Sequence, residues 1–159
     1  MTVSQEDLEE SIFDLEERAD EIEESLKDFF EEIHNHPNGR NELGHQEYIW
    51  ITPQDGAKDA QREARSSYEI WYNSARPLID EYLPGRIDDF DSGYDEFHRA
   101  VSLEVDASLG SVKVLDSTID VFDRQRNLVK SIPAKLDAEK LRTRKQISGK
   151  LSRDEIQQA

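Results

Sequence analysis

A chain of 159 residues with 36 Asp and Glu against 20 Lys and Arg carries a formal net charge of −16. With 35% apolar and 35% charged residues it is thin for a globule but ordinary for long amphipathic helices, which bury one stripe each. The lack of cysteine excludes disulfides and thiolate metal sites, and no apolar run approaches the ~20 residues that span a bilayer.

The acid is spread over residues 6–106 rather than gathered in a tail. Such a surface suits a salty cytoplasm of the haloarchaeal kind, cellular or viral, where screening falls to ~3 Å at ~1 M salt. A basic partner would be the other use of it. The N-terminus has no basic start and no apolar run, so a signal peptide is not expected and a cytoplasmic location is.

Residues 1–33 give the clearest element. Leu8, Ile12, Leu15, Ala19, Ile22, Leu26, Phe29 and Ile33 alternate steps of four and three, an unbroken heptad seam. Ser4 can cap this helix, and acids crowd its first turn where the dipole favours them. The flanks are almost all Glu, so the seam wants positive charge from whatever covers it. The seam residues are therefore either core or the interface to a protein partner or a second copy.

Residues 34–52 read as a polar loop between helices, with a turn at Pro37-Asn38-Gly39 and a short extended piece in "EYIWIT". The loop holds His34, His36 and His45, with Glu42 and Glu47 nearby. Zinc ligation by these groups lacks a dependable fourth ligand, so no metal is expected. Arg40 and His45 stand in the R-x4-H spacing of a ribonuclease motif. Gly44 and the preceding "PNG" argue against a helix spanning both, so the preferred reading is a connector without catalysis.

A second helix is expected from Thr52 as cap and Pro53 at its first position. Its inward face runs Ala57, Ala64, Tyr68, Trp71, Ala75, Leu78 and Tyr82, with Pro77 expected to kink or divide it. "LPGR" at 83–86 ends it. A third helix covers 86–101 with Ile87, Phe90, Tyr94, Phe97 and Val101 inward. Residues 102–111 are a loop or a soft helix start. A fourth helix follows with Val112, Leu115, Ile119, Phe122 and Val129, and Pro133 should break or restart it. "SRDE" at 152–155 reads as a capping box that opens a new helix, which suggests a longer polypeptide.

Charge is polarised along the chain. Residues 1–33 hold fourteen acids and two bases, whereas residues 111–159 hold seven acids and eleven bases. An acidic first helix and a basic last segment can lie antiparallel. Lys140, Arg142, Arg144, Lys145 and Lys150 could alternatively touch nucleic acid, but phosphate contacts weaken steeply in salt. Trp50, Tyr68, Trp71, Tyr72 and Tyr82 could stack bases, yet helix-stripe aromatics belong more often to a core. Asp88, Asp89, Asp91 and Asp95 form an acidic cluster without calcium-loop spacing. No cofactor motif and no small-molecule site is found.

In "YEIWYNSARPLIDEYLPGRIDDFDSGYDEF", residues 68–97, Trp-Tyr, a small residue, Leu-Ile, a Leu-Pro-x-Arg turn and Asp-Asp-Phe follow one another. The pattern resembles a helical domain of prokaryotic mobile-element and defence-associated proteins, over residues ~50–159. There the domain precedes a HEPN-like helical domain. The resemblance implies an all-α fold and no catalytic residues within the matched stretch. Any HEPN activity would reside in that following domain, which this sequence does not contain.

The expectation is one all-α domain over 1–159, an elongated helical bundle with a long coiled-coil-like N-terminal helix. It divides into the heptad helix 1–33, the loop 34–52, a helical core 53–131 and a basic helical tail 132–159. Its expected work is protein–protein interaction or scaffolding, with a ribonuclease, a nucleic-acid-binding accessory or a virion structural protein as alternatives.

Overall fold

The computed structural model describes residues 4–158, with side chains described for 4–145. The fold is an all-α elongated bundle of four helices: α1 (Gln5–Glu32), α2 (Asp55–Tyr82), α3 (Ile87–Val101) and α4 (Ser111–Gln158). A small antiparallel hairpin of β1 (Asn35–Arg40) and β2 (Gln46–Trp50) links α1 to α2. No helix among the described residues is long and apolar enough to cross a membrane.

Ser4 caps α1 as expected, its hydroxyl accepting from the Asp7 N–H at 3.1 Å. All eight seam residues, Leu8 to Ile33, are buried in the core of their own chain. Helices α2 and α4 cover them. The Trp71 indole N–H donates to the Leu15 carbonyl at 3.1 Å, which sets α2 antiparallel to α1. The tip of α1 meets the start of α2, where a Cβ on Gly56 would sit 2.9 Å from a Glu32 carboxylate oxygen. That oxygen lies against the positive end of α2, where negative charge is favoured.

The fourth helix runs antiparallel to α1. Arg126 meets Glu16 and Asp20, while Asp137 and Lys140 meet Gln5 at the opposite end. The basic segment thus supplies the positive charge that the acidic helix asks for. Its inward stripe is Val114, Thr118, Phe122, Gln125, Val129 and Ile132. This is a rotation from the expected face: Val112 is exposed, and Leu115 and Ile119 sit at the margin of the core. Two polar residues fill inward positions because their hydrogen bonds are met inside. Thr118 donates to the Val114 carbonyl at 2.7 Å, and Gln125 bridges two other helices.

Several boundaries differ from expectation. Pro133 does not interrupt α4, whose neighbours Val129 and Ile132 are fully buried; core packing holds the helix through the missing N–H. The "SRDE" segment continues α4 rather than opening a helix. Pro77 does not divide α2. That helix begins two residues later than Thr52 and Pro53 suggest, with Gln54 as its cap, because the Ile51 N–H still pairs with the His34 carbonyl at 3.2 Å. Residues 102–110 form a turn closed by a short 3-10 segment, Ala107–Leu109.

An aromatic cluster fills the space between α2, α3 and α4. Tyr68 stacks on Phe97 with centroids 3.7 Å apart, and Trp71 meets Phe122 edge-on at 4.9 Å. The Tyr68 hydroxyl donates to Gln125 Oε1 at 2.8 Å, and Gln125 Nε2 donates to the Phe90 carbonyl at 2.7 Å. Burial pushes the Tyr68 hydroxyl pKa well above its ordinary value, partly opposed by the Gln125 hydrogen bond. Gly93 admits this arrangement: a Cβ there would lie 2.7 Å from Gln125 Cδ. Gly93→Ala should displace a side chain pinned at both ends and cost about 1–3 kcal/mol in chemical denaturation. A variant as stable as wild type would show that Gln125 is free to move.

Candidate functional site

The loop expected to carry Arg40 and His45 is instead a projecting hairpin. Asn35 pairs with Trp50, His36 with Ile49, Pro37 with Tyr48 and Arg40 with Gln46. Its reversal lies at 41–45, not at Pro37-Asn38-Gly39. The Asn41 carboxamide accepts from the N–H groups of Leu43 and His45, both at 3.0 Å, and Gly44 takes φ +82°. Gly39, at φ +80°, lies inside the register irregularity between Pro37 and Arg40. The base is pinned to the 102–110 turn. The Trp50 indole donates to the Val105 carbonyl at 2.9 Å, and the Asn35 side chain donates to the Ala107 carbonyl.

Arg40 and His45 are both exposed on strand and turn, so the helix that a HEPN-type motif requires is absent here. His34, His36, Glu42 and Glu47 are likewise exposed. No group of three His, Asp or Glu side chains among the described residues could hold a metal ion.

The other candidates divide cleanly. Tyr68 and Trp71 are fully buried, and Trp50, Tyr72 and Tyr82 are partly buried against the core, so none of the five is a freely exposed stacking platform. Asp91 binds Arg76 through both carboxylate oxygens at 3.0 Å and accepts from the Tyr72 hydroxyl. Those contacts, Arg76 first, hold its carboxyl below the usual range despite burial. Desolvation and that same carboxylate push the Tyr72 hydroxyl up to about 12. Asp89 pairs with Arg86 at 2.8 Å. The acidic cluster is thus partly neutralised by its own neighbours.

The basic residues of α4 fall into two groups. Arg126 and Lys130 face α1. Arg126 is only 9% exposed and reaches Glu16 at 3.0 Å, Asp20 at 2.7 Å and Glu23 at 3.8 Å, while Lys130 reaches Glu16 at 3.2 Å. Arg126 is not among the bases expected from the sequence to carry a role, although the opposite charge of α1 and the last segment is its signal: it stands next to the inward stripe and meets three of the α1 acids.

The second group lies past the bundle. Among the described residues, Leu136 is the last α4 side chain packed on the core, and Lys140 makes the last tie to α1, through Gln5. Leu141, Arg142, Arg144 and Lys145 are exposed; the side chain of Lys150 lies outside the described residues. The helix backbone continues to Gln158. Residues 141–158 therefore extend about 27 Å at the helical rise of ~1.5 Å per residue.

A third surface was not anticipated. Helices α2 and α3 flank a groove of about 720 Å³ lined by Lys58, Arg62, Arg65, Glu69, Ile70 and His98, among others. Glu69 accepts from the Tyr94 hydroxyl at 2.6 Å, and His98 Nε2 stands 3.4 Å from its other oxygen.

No family model, no curated protein and no solved structure matches this chain.

Proposed function

We propose that the chain is a non-catalytic protein–protein interaction and scaffold module whose bundle holds out the basic end of α4 to a protein partner. The observation that carries this reading is the continuation of α4 beyond its last core contact among the described residues. A helix without tertiary support is marginal in water, and a partner covering Leu141 and its neighbours would offset that cost. The heptad seam, which could have been the interface, is occupied by the chain's own helices, so the partner must use another surface.

The same exposed bases support nucleic-acid binding as the second reading. The protein reading is preferred because a net charge of −16 repels a polyanion, and because phosphate contacts fade in salt. A photo-crosslinking residue at position 141, in extracts of the native host, separates the two. A discrete protein adduct that is lost in Arg142→Glu/Arg144→Glu supports the module. Adducts that vanish on nuclease treatment would replace it with the second reading.

The acidic surface supports a halophilic setting, since carboxylates crowded on α1 repel one another until salt screens them. The Tm should climb steadily as KCl is raised from ~0.1 M to ~2 M. A flat or falling Tm would remove that setting. The link to mobile-element and defence proteins has the resemblance of residues ~50–159 as its support.

A further inference from the structure

One large apolar side chain is stranded on the outer face beside α1 and α2. Ile70 is 52% exposed, although both helices have a well-filled inner face. Ile70 lines two grooves at once. On one side lies the α2/α3 groove with Lys58, Arg62 and Arg65. On the other lies a groove between α1 and α2 with Asp14, Glu17 and Glu21 around a single base, Arg18. The face is thus basic on one flank, apolar at its centre and acidic on the other.

The basic flank is unfavourable in an isolated chain. Lys58, Arg62 and Arg65 are spaced i, i+4 and i+7, where like charges repel. None of the three makes an ion pair among the described residues. The one acid in their groove, Glu69, gives one oxygen to the Tyr94 hydroxyl and turns the other toward His98, and it pairs with none of the three. In a chain with 36 acids, three adjacent bases left without one are an arrangement that the monomer does not use.

We propose that this face is the interface of a homodimer. A two-fold axis running along α2 near Ile70 brings each basic flank opposite the acidic α1 of a second copy, and the two Ile70 side chains meet between them. An isologous interface demands this self-complementarity, in which a surface carries both partners of every contact. The face follows two helices of 28 residues each, about 42 Å long, which is ample for the ~800 Å² per partner of a standard interface. The inference stands apart from the projecting end of α4 and does not require it.

Sedimentation equilibrium over a range of concentrations tests it. Wild type should pass from the 18.4 kDa of one chain toward twice that mass. Ile70→Glu should raise the dimer Kd at least about tenfold while circular dichroism stays unchanged, since the site is exposed in the monomer. Arg62→Glu/Arg65→Glu and Glu17→Lys/Glu21→Lys should each be monomeric alone and should form a mixed dimer when combined. Deleting residues after 140 should leave the dimer intact while removing any contact made by the end of α4, so the two readings fail separately. A wild-type chain that stays monomeric up to about 100 µM, or a dimer indifferent to Ile70→Glu, would overturn the proposal.

Discussion

Ile22→Asp should unfold the chain rather than release it from a complex. Ile22 is fully buried at the middle of the heptad seam, between α2 and α4. The substitution removes its packing, worth about 2–5 kcal/mol, and places a carboxyl where no donor waits. A domain is held by about 5–15 kcal/mol in total, so the loss takes most of that margin. The expected observation is a monomer with much reduced helical signal at 25 °C. A variant that remains helical and merely changes from oligomer to monomer would show that the seam is closed between chains.

Arg126→Ala should be the most costly change among the charged residues. The guanidinium joins three carboxylates of α1 and also stands 5.8 Å from the Phe122 ring centroid. Desolvation works against its charge, and the hydrogen bonds to Glu16 and Asp20 outweigh that effect. Without it, Glu16 and Glu23 face the core margin with Lys130 as the remaining cation. Breaking a fully buried pair costs about 3–5 kcal/mol; Asp20 is largely exposed, so about 2–4 kcal/mol is expected here. Adding Glu16→Gln should recover part of the loss, with a coupling energy of at least about 1 kcal/mol. Additive losses would mean that Arg126 acts through packing alone.

The contrast between α1 and α4 explains how much of the fold was legible. In α1 every inward position is apolar, so the 3-4 alternation from Leu8 to Ile33 reads directly as a buried stripe. In α4 the inward stripe includes Thr118 and Gln125, and reading apolar residues alone rotates the helix toward Val112 and Ile119. Gln125 is tolerated because Tyr68 and the Phe90 carbonyl satisfy it, and those partners are 57 and 35 residues away in sequence. Pro133 was misleading for a related reason: burial of Val129 and Ile132 outweighs a local rule. Half of the hairpin was legible, since "EYIWIT" reads as extended and β2 covers Gln46–Trp50; the strand "NHPNGR" was not, because it buries almost nothing and no alternation of period two marks it.

The functional surfaces were less legible than the core. The basic tail could be read from charge polarity, but not the division by which Arg126 and Lys130 serve the fold while Arg142 to Lys145 project. That division depends on where α1 begins relative to α4. Lys58, Arg62 and Arg65 look in sequence like ordinary solvated bases among acids. What sets them apart is that the three line one groove and none makes an ion pair among the described residues, which is a property of three-dimensional placement.

α4 closes the acidic heptad helix within a single chain, and one engineered cross-link tests this most directly. The sequence has no cysteine of its own, and Gln5 Nε2 lies 2.9 Å from Asp137 Oδ1 across the α1–α4 contact. Gln5→Cys/Asp137→Cys, treated at high dilution with a short bis-maleimide that spans the length of the two side chains, should run as a cross-linked monomer on a denaturing gel. Cross-linked dimers as the main product would contradict the account.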